Sequence, residues 1–225
     1  MRAVNHIAVF ARWPASGRVK SRLSPALPPG LACDLHRALL GDTLATALAC
    51  EAESRTLWWA DAPADRAGFE VPPGFEVRDQ RGSDLGARLE HACAERLAGA
   101  ADRLVIVGGD CPDLGPGHLR EALARLDTHA LVLGPARDGG YTLIGLARSA
   151  PGLFRGVAWG GATVLEQTLE RARAARLPVA LLEPLADLDT PADLVRWMST
   201  ECVARSGRAP LTRAALGAMG LLPGG

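Results

Sequence analysis

Short apolar runs rich in β-branched residues alternate along this chain with longer stretches of helical periodicity. That alternation constrains the fold more than any other feature. Residues 4–11, 55–60, 75–79, 104–107, 130–133, 141–146 and 179–182 read as strands bounded by glycine, proline or polar turns. Between them, residues 31–49 place Leu35, Leu39, Leu40, Leu44, Ala47 and Leu48 at helical spacing, as expected of a core-facing helix. Residues 84–97 carry a second stripe of Leu85, Leu89, Cys93 and Leu97, with Ser83 as the expected N-cap. Shorter helices are expected over 118–126 and 163–176, the latter with arginines in its second half, where the helix dipole favours them. Thr190-Pro191-Ala192-Asp193 opens a further helix through a close relative of the capping box. Strands alternating with helices predict an α/β domain of three layers, αβα, around a mostly parallel sheet.

At 225 residues the chain suffices for one such domain, assigned to residues 1–202, with 203–225 as a tail holding at most one short helix near 211–219. The 25 basic and 25 acidic residues cancel, so overall charge recruits neither nucleic acid nor an anionic membrane. The longest apolar runs are far too short to span a bilayer. The N-terminus leads straight into the first strand without a cleavable apolar leader, so a cytoplasmic protein is expected, as a monomer or homodimer. Five cysteines without a C-x-x-C pair suit reduced thiols, and five histidines without ligand spacing argue against zinc.

One asymmetry stands out. Residues 1–33 contain no Asp or Glu, yet carry Arg2, Arg12, Arg18, Lys20 and Arg22. Ligands of open α/β sheets bind beyond the carboxyl ends of the strands, and that rule selects four segments. The loop from Arg12 to Arg22 combines forked arginine donors, a lysine and Gly17, a set suited to a polyphosphate; its alternative is a solvated basic loop. It matches neither the Walker A nor the G-x-G-x-x-G pattern. After the fourth strand, Gly108-Gly109-Asp110-Cys111-Pro112-Asp113 puts Asp110 on the binding rim as a candidate ligand for Mg2+ or Mn2+, while Asp113 reads as a cap of the next helix. Cys111 has no recognisable histidine partner and reads as a small buried hydrophobe.

In Asp187-Leu188-Asp189 an extended backbone turns both carboxylates one way and Leu188 the other, and a cation between them relieves their repulsion. The alternative for Asp189 is support of the next helix N-terminus. Asp138-Gly139-Gly140-Tyr141-Thr142 and Trp159-Gly160-Gly161-Ala162-Thr163 form the last candidate region. Their glycines permit close backbone approach, and Thr163 offers donors near a helix start. Tyr141 reads equally as a core strand residue and as a pocket residue.

These residues resemble a bacterial family. Phe10-Ala11-Arg12 with Pro14, Gly17, Lys20 and Arg22-Leu23 is similar to the opening motif of the radical-SAM/selenodomain-associated, arsenosugar-biosynthesis-type glycosyltransferases. Gln80-x-Gly82-x-Asp84-Leu85-Gly86-x-Arg88-Leu89, Gly109-Asp110-Cys111-Pro112-Asp113-Leu114, Gly134-Pro135-x-x-Asp138-Gly139-Gly140-Tyr141 and Asp187-Leu188-Asp189-Thr190-Pro191-x-Asp193-Leu194 match its later motifs. More distantly the chain resembles the guanylyltransferases of coenzyme F420 and molybdopterin synthesis, most closely in Lys20-Ser21-Arg22-Leu23 and in the Asp-x-Asp-Thr-Pro ending.

The resemblance implies a GT-A (nucleotide-diphospho-sugar transferase, Rossmann-like) fold and a metal-dependent transferase. Its partners would be a nucleotide or nucleotide-sugar donor and a small-molecule acceptor. Arg12, Gly17, Arg18, Lys20 and Arg22 would hold nucleotide phosphates, and the segment from Asp84 to Arg88 would lie near the base. Asp110, Asp187 and Asp189 would hold Mg2+ or Mn2+. Gly160, Gly161 and Thr163 would sit by the acceptor. The residues themselves add Tyr141 and Thr142 to that acceptor region, Asp110 as a catalytic carboxylate, and Asp138 as the general base where the acceptor is a hydroxyl. Gly160-Gly161 departs from the Ser/Thr and Pro common at that point of the family, which bears on acceptor preference. Glycosyl and nucleotidyl transfer both remain open, as does a non-catalytic nucleotide sensor.

Overall fold

A computed structural model describes residues 3–24, 26–204 and 207–222. Its strands are β1 (Val4–Arg12), β2 (Ser54–Ala60), β3 (Glu76–Asp79), β4 (Asp102–Gly108), β5 (Leu131–Pro135), β6 (Tyr141–Leu146) and β7 (Val179–Leu181). The helices are α1 (Pro29–Leu48), α2 (Leu85–Arg96), α3 (Pro116–Arg125), α4 (Val164–Ala174), α5 (Pro191–Ala204) and α6 (Pro210–Ala218). The strands form one seven-stranded sheet in the order β3-β2-β1-β4-β6-β5-β7. Every neighbouring pair is parallel except the two that involve β6.

Alternation along each strand divides the core between the two faces of the sheet. Ile7, Val9 and Ala11 of β1 join Leu57, Val105 and Val107 beneath α1 and α3. Ala8, Trp58, Leu104 and Ile106 face the other way, against Leu89 and Ala92 of α2 and Ala172 of α4. Helix α1 is buried on two sides. Leu40, Leu44 and Ala47 meet the sheet, whereas Ala32, Leu35 and Leu39 pack with Leu194 and Trp197 of α5 and Leu216 of α6. The single apolar stripe expected for this helix is therefore two faces, and Leu48, expected in the core, is 38% exposed.

Helix α6 is fastened to α1 by a buried carboxylate. Asp42 accepts from Leu211 N at 3.0 Å, Thr212 N at 2.8 Å and Thr212 Oγ1 at 2.7 Å. Those donors belong to a helix start, where backbone N–H groups lack intrahelical partners. The expected short helix in the tail is thus packed into the body of the fold.

Two expected caps differ. Asp84, not Ser83, is the N-cap of α2, its Oδ1 accepting from Ala87 N at 2.8 Å. Gly115 is the N-cap of α3, and Asp113 instead accepts from Trp197 Nε1 at 3.1 Å, tying the β4 turn to α5. The Thr190/Asp193 box forms as expected: Asp193 accepts from Thr190 N at 2.8 Å and Thr190 Oγ1 at 2.7 Å.

The strand order locates the binding rim. From β1 the chain proceeds to β2 and β3 on one side, then returns to β4 on the other, so the connections leaving β1 and β4 diverge and leave a crevice. The antiparallel β6 brings its first residues, Tyr141 and Thr142, to that same rim.

Candidate functional site

Arg12, Arg18, Val19, Lys20, Ser21, Arg22, His36, Asp110 and Asp189 line one cavity of about 320 Å3 at the carboxyl ends of β1 and β4. The basic loop therefore meets acids lying far along the chain. A backbone hydrogen bond from Leu188 N to Asp110 O, 2.9 Å long, brings the two acidic segments side by side. Leu188 is 1% exposed in the core, as the alternation in Asp187-Leu188-Asp189 requires. Because Thr190 and Asp193 cap α5, the Asp189 carboxylate is left free to face the cavity.

Lys20 is the centre of the arrangement. Its Nζ lies 2.6 Å from Asp110 Oδ1 and 2.6 Å from Asp189 Oδ1, and its side chain is 3% exposed. Burial alone would lower the Lys20 pKa, but the two carboxylates outweigh it and leave the pKa raised. Burial would likewise raise Asp110, yet Lys20 and His36 hold it well below the usual carboxylate range. Lys20 has a φ of +51°, in the left-handed region, immediately before the 3-10 turn Ser21–Leu23.

His36 is the residue that sequence reasoning missed. Its Nε2 lies 3.0 Å from the Arg12 carbonyl oxygen, which only accepts, so Nε2 carries the hydrogen. Nδ1 then faces Asp110 Oδ1 at 3.6 Å. The available signal was a histidine between Leu35 and Leu39 on the helix that directly follows the basic loop.

Asp187 stands beside this cluster rather than in the same cavity. It opens onto a smaller space of about 110 Å3 shared with Asp113, Arg137, Arg196 and Trp197. Its pKa is raised to about 7, first by burial and then by Asp110 and Asp189. Cys111 is buried, and that burial raises its thiol pKa far above the ordinary range, removing it as a nucleophile.

A second cavity of about 260 Å3 adjoins the first through Arg12 and is lined by Phe10, Gln80, Leu85, Arg88, Tyr141 and Thr142 among others. Gln80 donates through Nε2 to Trp58 O at 2.9 Å. Leu85, expected in the core stripe of α2, is 42% exposed at this cavity. The Asp84 carboxylate is engaged in capping α2 and Gly17 supplies a turn at φ +77°; neither lines either cavity.

Asp138 accepts from Gly140 N at 3.0 Å within the turn between β5 and β6. That turn is tied to the start of α4, just after the other expected acceptor segment, by a hydrogen bond from Leu165 N to Gly139 O at 2.9 Å. Gly139 has a φ of +92°, and a Cβ there would lie 2.0 Å from Ala162 O, so only glycine fits. Thr163 Oγ1 accepts from Gln167 Nε2 at 2.8 Å. Gly160, Gly161 and Thr163 are exposed beside the turn and line neither cavity.

The sheet order, the reversed β6 and the crevice at β1 and β4 define a nucleotide-diphospho-sugar transferase-like fold. A structure from Desulfovibrio desulfuricans G20, whose description proposes a nucleotide-diphospho-sugar transferase, superposes with a TM-score of 0.87. It is 32% identical, over 96% of this chain and 95% of that one. The family described as "Uncharacterized protein conserved in bacteria (DUF2064)" matches residues 43–161, and this chain belongs to it. It is also 33% identical to the phosphoenolpyruvate guanylyltransferase of Streptomyces coelicolor, over 80% of this chain and 84% of that protein. To the 2-phospho-L-lactate guanylyltransferase of Halorubrum lacusprofundi it is 30% identical, over 85% of each. Among the described residues no helix is long and apolar enough to cross a membrane.

Proposed function

We propose that this protein is a metal-dependent nucleotidyltransferase that moves a nucleoside monophosphate from a nucleoside triphosphate onto a small phosphorylated acid, releasing pyrophosphate. The observation that carries the reading is the single cavity in which Arg12, Arg18, Lys20 and Arg22 meet Asp110 and Asp189. Cations there suit a triphosphate, and the neighbouring cavity beside Gln80, Leu85 and Arg88 has the size and partly apolar lining of a nucleoside site. The names of the two guanylyltransferase relatives support guanine as the base and a phosphate-bearing carboxylic acid as the acceptor.

The carboxylates pass a first test as holders of a divalent ion. Asp110 and Asp189 aim oxygens at one cation, that of Lys20, and oxygen ligands completed by substrate phosphate are what Mg2+ or Mn2+ takes. Among the described residues no three His, Cys, Asp or Glu side chains stand as a ready-made ligand set. In this reading Asp110 and Asp189, with Asp187 beside them, hold the ion together with substrate oxygens. The ion supplies charge neutralisation on the phosphates.

The protein's own part is alignment and electrostatics. An acceptor phosphate oxygen attacks the α-phosphorus, the bond from that phosphorus to the bridging oxygen of the β-phosphate breaks, and pyrophosphate leaves with the electron pair. Arg12, Arg18 and Arg22 stabilise the negative charge gathering on the leaving group. An acceptor that is already anionic needs no general base, which suits a cavity whose acids are engaged by Lys20. Asp138 remains the candidate base for a hydroxyl acceptor.

Glycosyl transfer is the second reading, favoured by the description of the Desulfovibrio structure. Incubation with GTP, CTP and UDP-sugars in Mg2+, with phosphoenolpyruvate or 2-phospho-L-lactate as acceptor, separates the two. Acceptor-dependent release of pyrophosphate from GTP is expected. Release of nucleoside diphosphate alone removes the nucleotidyl reading, and nucleotide binding that survives chelation without turnover supports a sensor.

A further inference from the structure

Asp110 and Asp189 keep 41% and 40% of their side chains exposed, while the ammonium between them is almost wholly enclosed. The point where the two carboxylates converge is thus already taken by a cation belonging to the protein. Arg12, on the same rim, is engaged elsewhere, 3.5 Å from Asp61. Lys20 reaches the carboxylates from a left-handed backbone conformation uncommon for a residue with a side chain, on a loop that also carries Arg18 and Arg22 into the cavity.

We propose that Lys20 is a resident competitor for the divalent ion. Its ammonium closes the Asp110–Asp189 pair in the free protein, and the phosphates of an incoming nucleotide draw it away, so that metal enters together with nucleotide rather than before it. The inference deepens the proposed function and rests on its pairing of metal with nucleotide. An ammonium and a divalent cation cannot share the same two oxygens, since like charges a few ångströms apart in a partly dehydrated pocket repel strongly. A polyphosphate offers the displaced ammonium an equivalent anionic partner in the same cavity. The coupling is reciprocal: whatever factor nucleotide adds to metal affinity, metal adds to nucleotide affinity.

The substitution Lys20→Met keeps the aliphatic length and removes the charge. Mn2+ is the probe, with binding read by paramagnetic resonance of the free ion and by melting temperature. Without nucleotide, Lys20→Met is expected to bind Mn2+ at least about tenfold more tightly than the wild type, and Mn2+ alone to raise its melting temperature. In the wild type, which needs no substitution to fold, Mn2+ alone leaves the melting temperature unchanged, and GTP strengthens Mn2+ binding by about tenfold or more. Equal or weaker Mn2+ binding by Lys20→Met overturns the proposal. So does a wild type that takes up Mn2+ as tightly without GTP as with it. A gain of Mn2+ binding in Lys20→Met alongside no turnover by the wild type with any donor sinks the nucleotidyl reading and leaves the lysine exchange standing. Turnover without that gain does the reverse.

Discussion

Replacing Asp187 by asparagine tests whether the acids of this site are held together at a cost in stability. The Asp187 pKa rises from 3.8 to about 7 through burial and then through Asp110 and Asp189. A carboxyl held above its unfolded value keeps its proton in the folded state while the unfolded chain releases it. Stability is therefore whole below about pH 4 and is lost as pH rises towards 7. Each pKa unit is worth about 1.4 kcal/mol, so the full shift sets a ceiling of roughly 4 kcal/mol at pH 8. Asp187 is only partly buried, and solvent screening brings the expected effect to about 2 kcal/mol. Asparagine has the same shape without the charge. Thermal melts in a chelator should place Asp187→Asn about 4–8 °C above the wild type at pH 8, given some 2–4 °C per kcal/mol for a chain of this size. The gain should shrink to under about 3 °C at pH 5, where most of the penalty is absent. A variant that melts no higher than the wild type at pH 8 refutes the repulsive cluster.

Asp110→Asn should abolish the rise in melting temperature that Mg2+ or Mn2+ produces with nucleotide, and should also lower the apo melting temperature, because the enclosed Lys20 ammonium is left with Asp189 alone. A full metal-dependent rise in that variant excludes Asp110 as a ligand. Asp42→Ala strips three hydrogen bonds from the start of α6 and should cost about 2–3 kcal/mol in urea unfolding; a cost below about 0.5 kcal/mol would show that α6 adds nothing to the fold. Gly139→Ala should lower stability by about 2–4 kcal/mol in the same assay, because the new Cβ would strike Ala162 O. Unchanged unfolding would mean that the turn relaxes freely.

Much of the fold could be read from the chain because period-2 and period-3.6 patterns are local. Tyr141–Leu146 has the bounds predicted from its apolar run after Gly139-Gly140, and the Thr190/Asp193 box forms where the residue types require it. What sequence could not supply was partnership at a distance. Leu35 and Leu40 look alike in a helical pattern, but only the docking of α5 and α6 shows that they serve different faces. Asp84 outcompetes Ser83 as cap because its carboxylate reaches Ala87 N, a choice between adjacent good caps that residue type leaves undecided. Of the four rim segments the strand-end rule selects, the loop from Arg12 to Arg22, Asp110 and Asp189 share one cavity and Tyr141 and Thr142 line the second, whereas Gly160, Gly161 and Thr163 line neither. The role of Lys20 was not legible, because a lysine in a basic loop points to phosphate and nothing local indicates two carboxylates lying more than eighty residues away. His36 was hidden for the same reason, its partners being the Arg12 carbonyl and Asp110.

In the proposed function the basic loop after β1 and the acids after β4 and β7 act on one nucleotide and one ion. Anomalous scattering from a crystal grown with Mn2+ and GTP tests it most directly. A manganese peak is expected against Asp110 and Asp189, in contact with nucleotide phosphate, with the Lys20 ammonium withdrawn from between them. Manganese on another surface, or nucleotide bound away from the loop from Arg12 to Arg22, would contradict it.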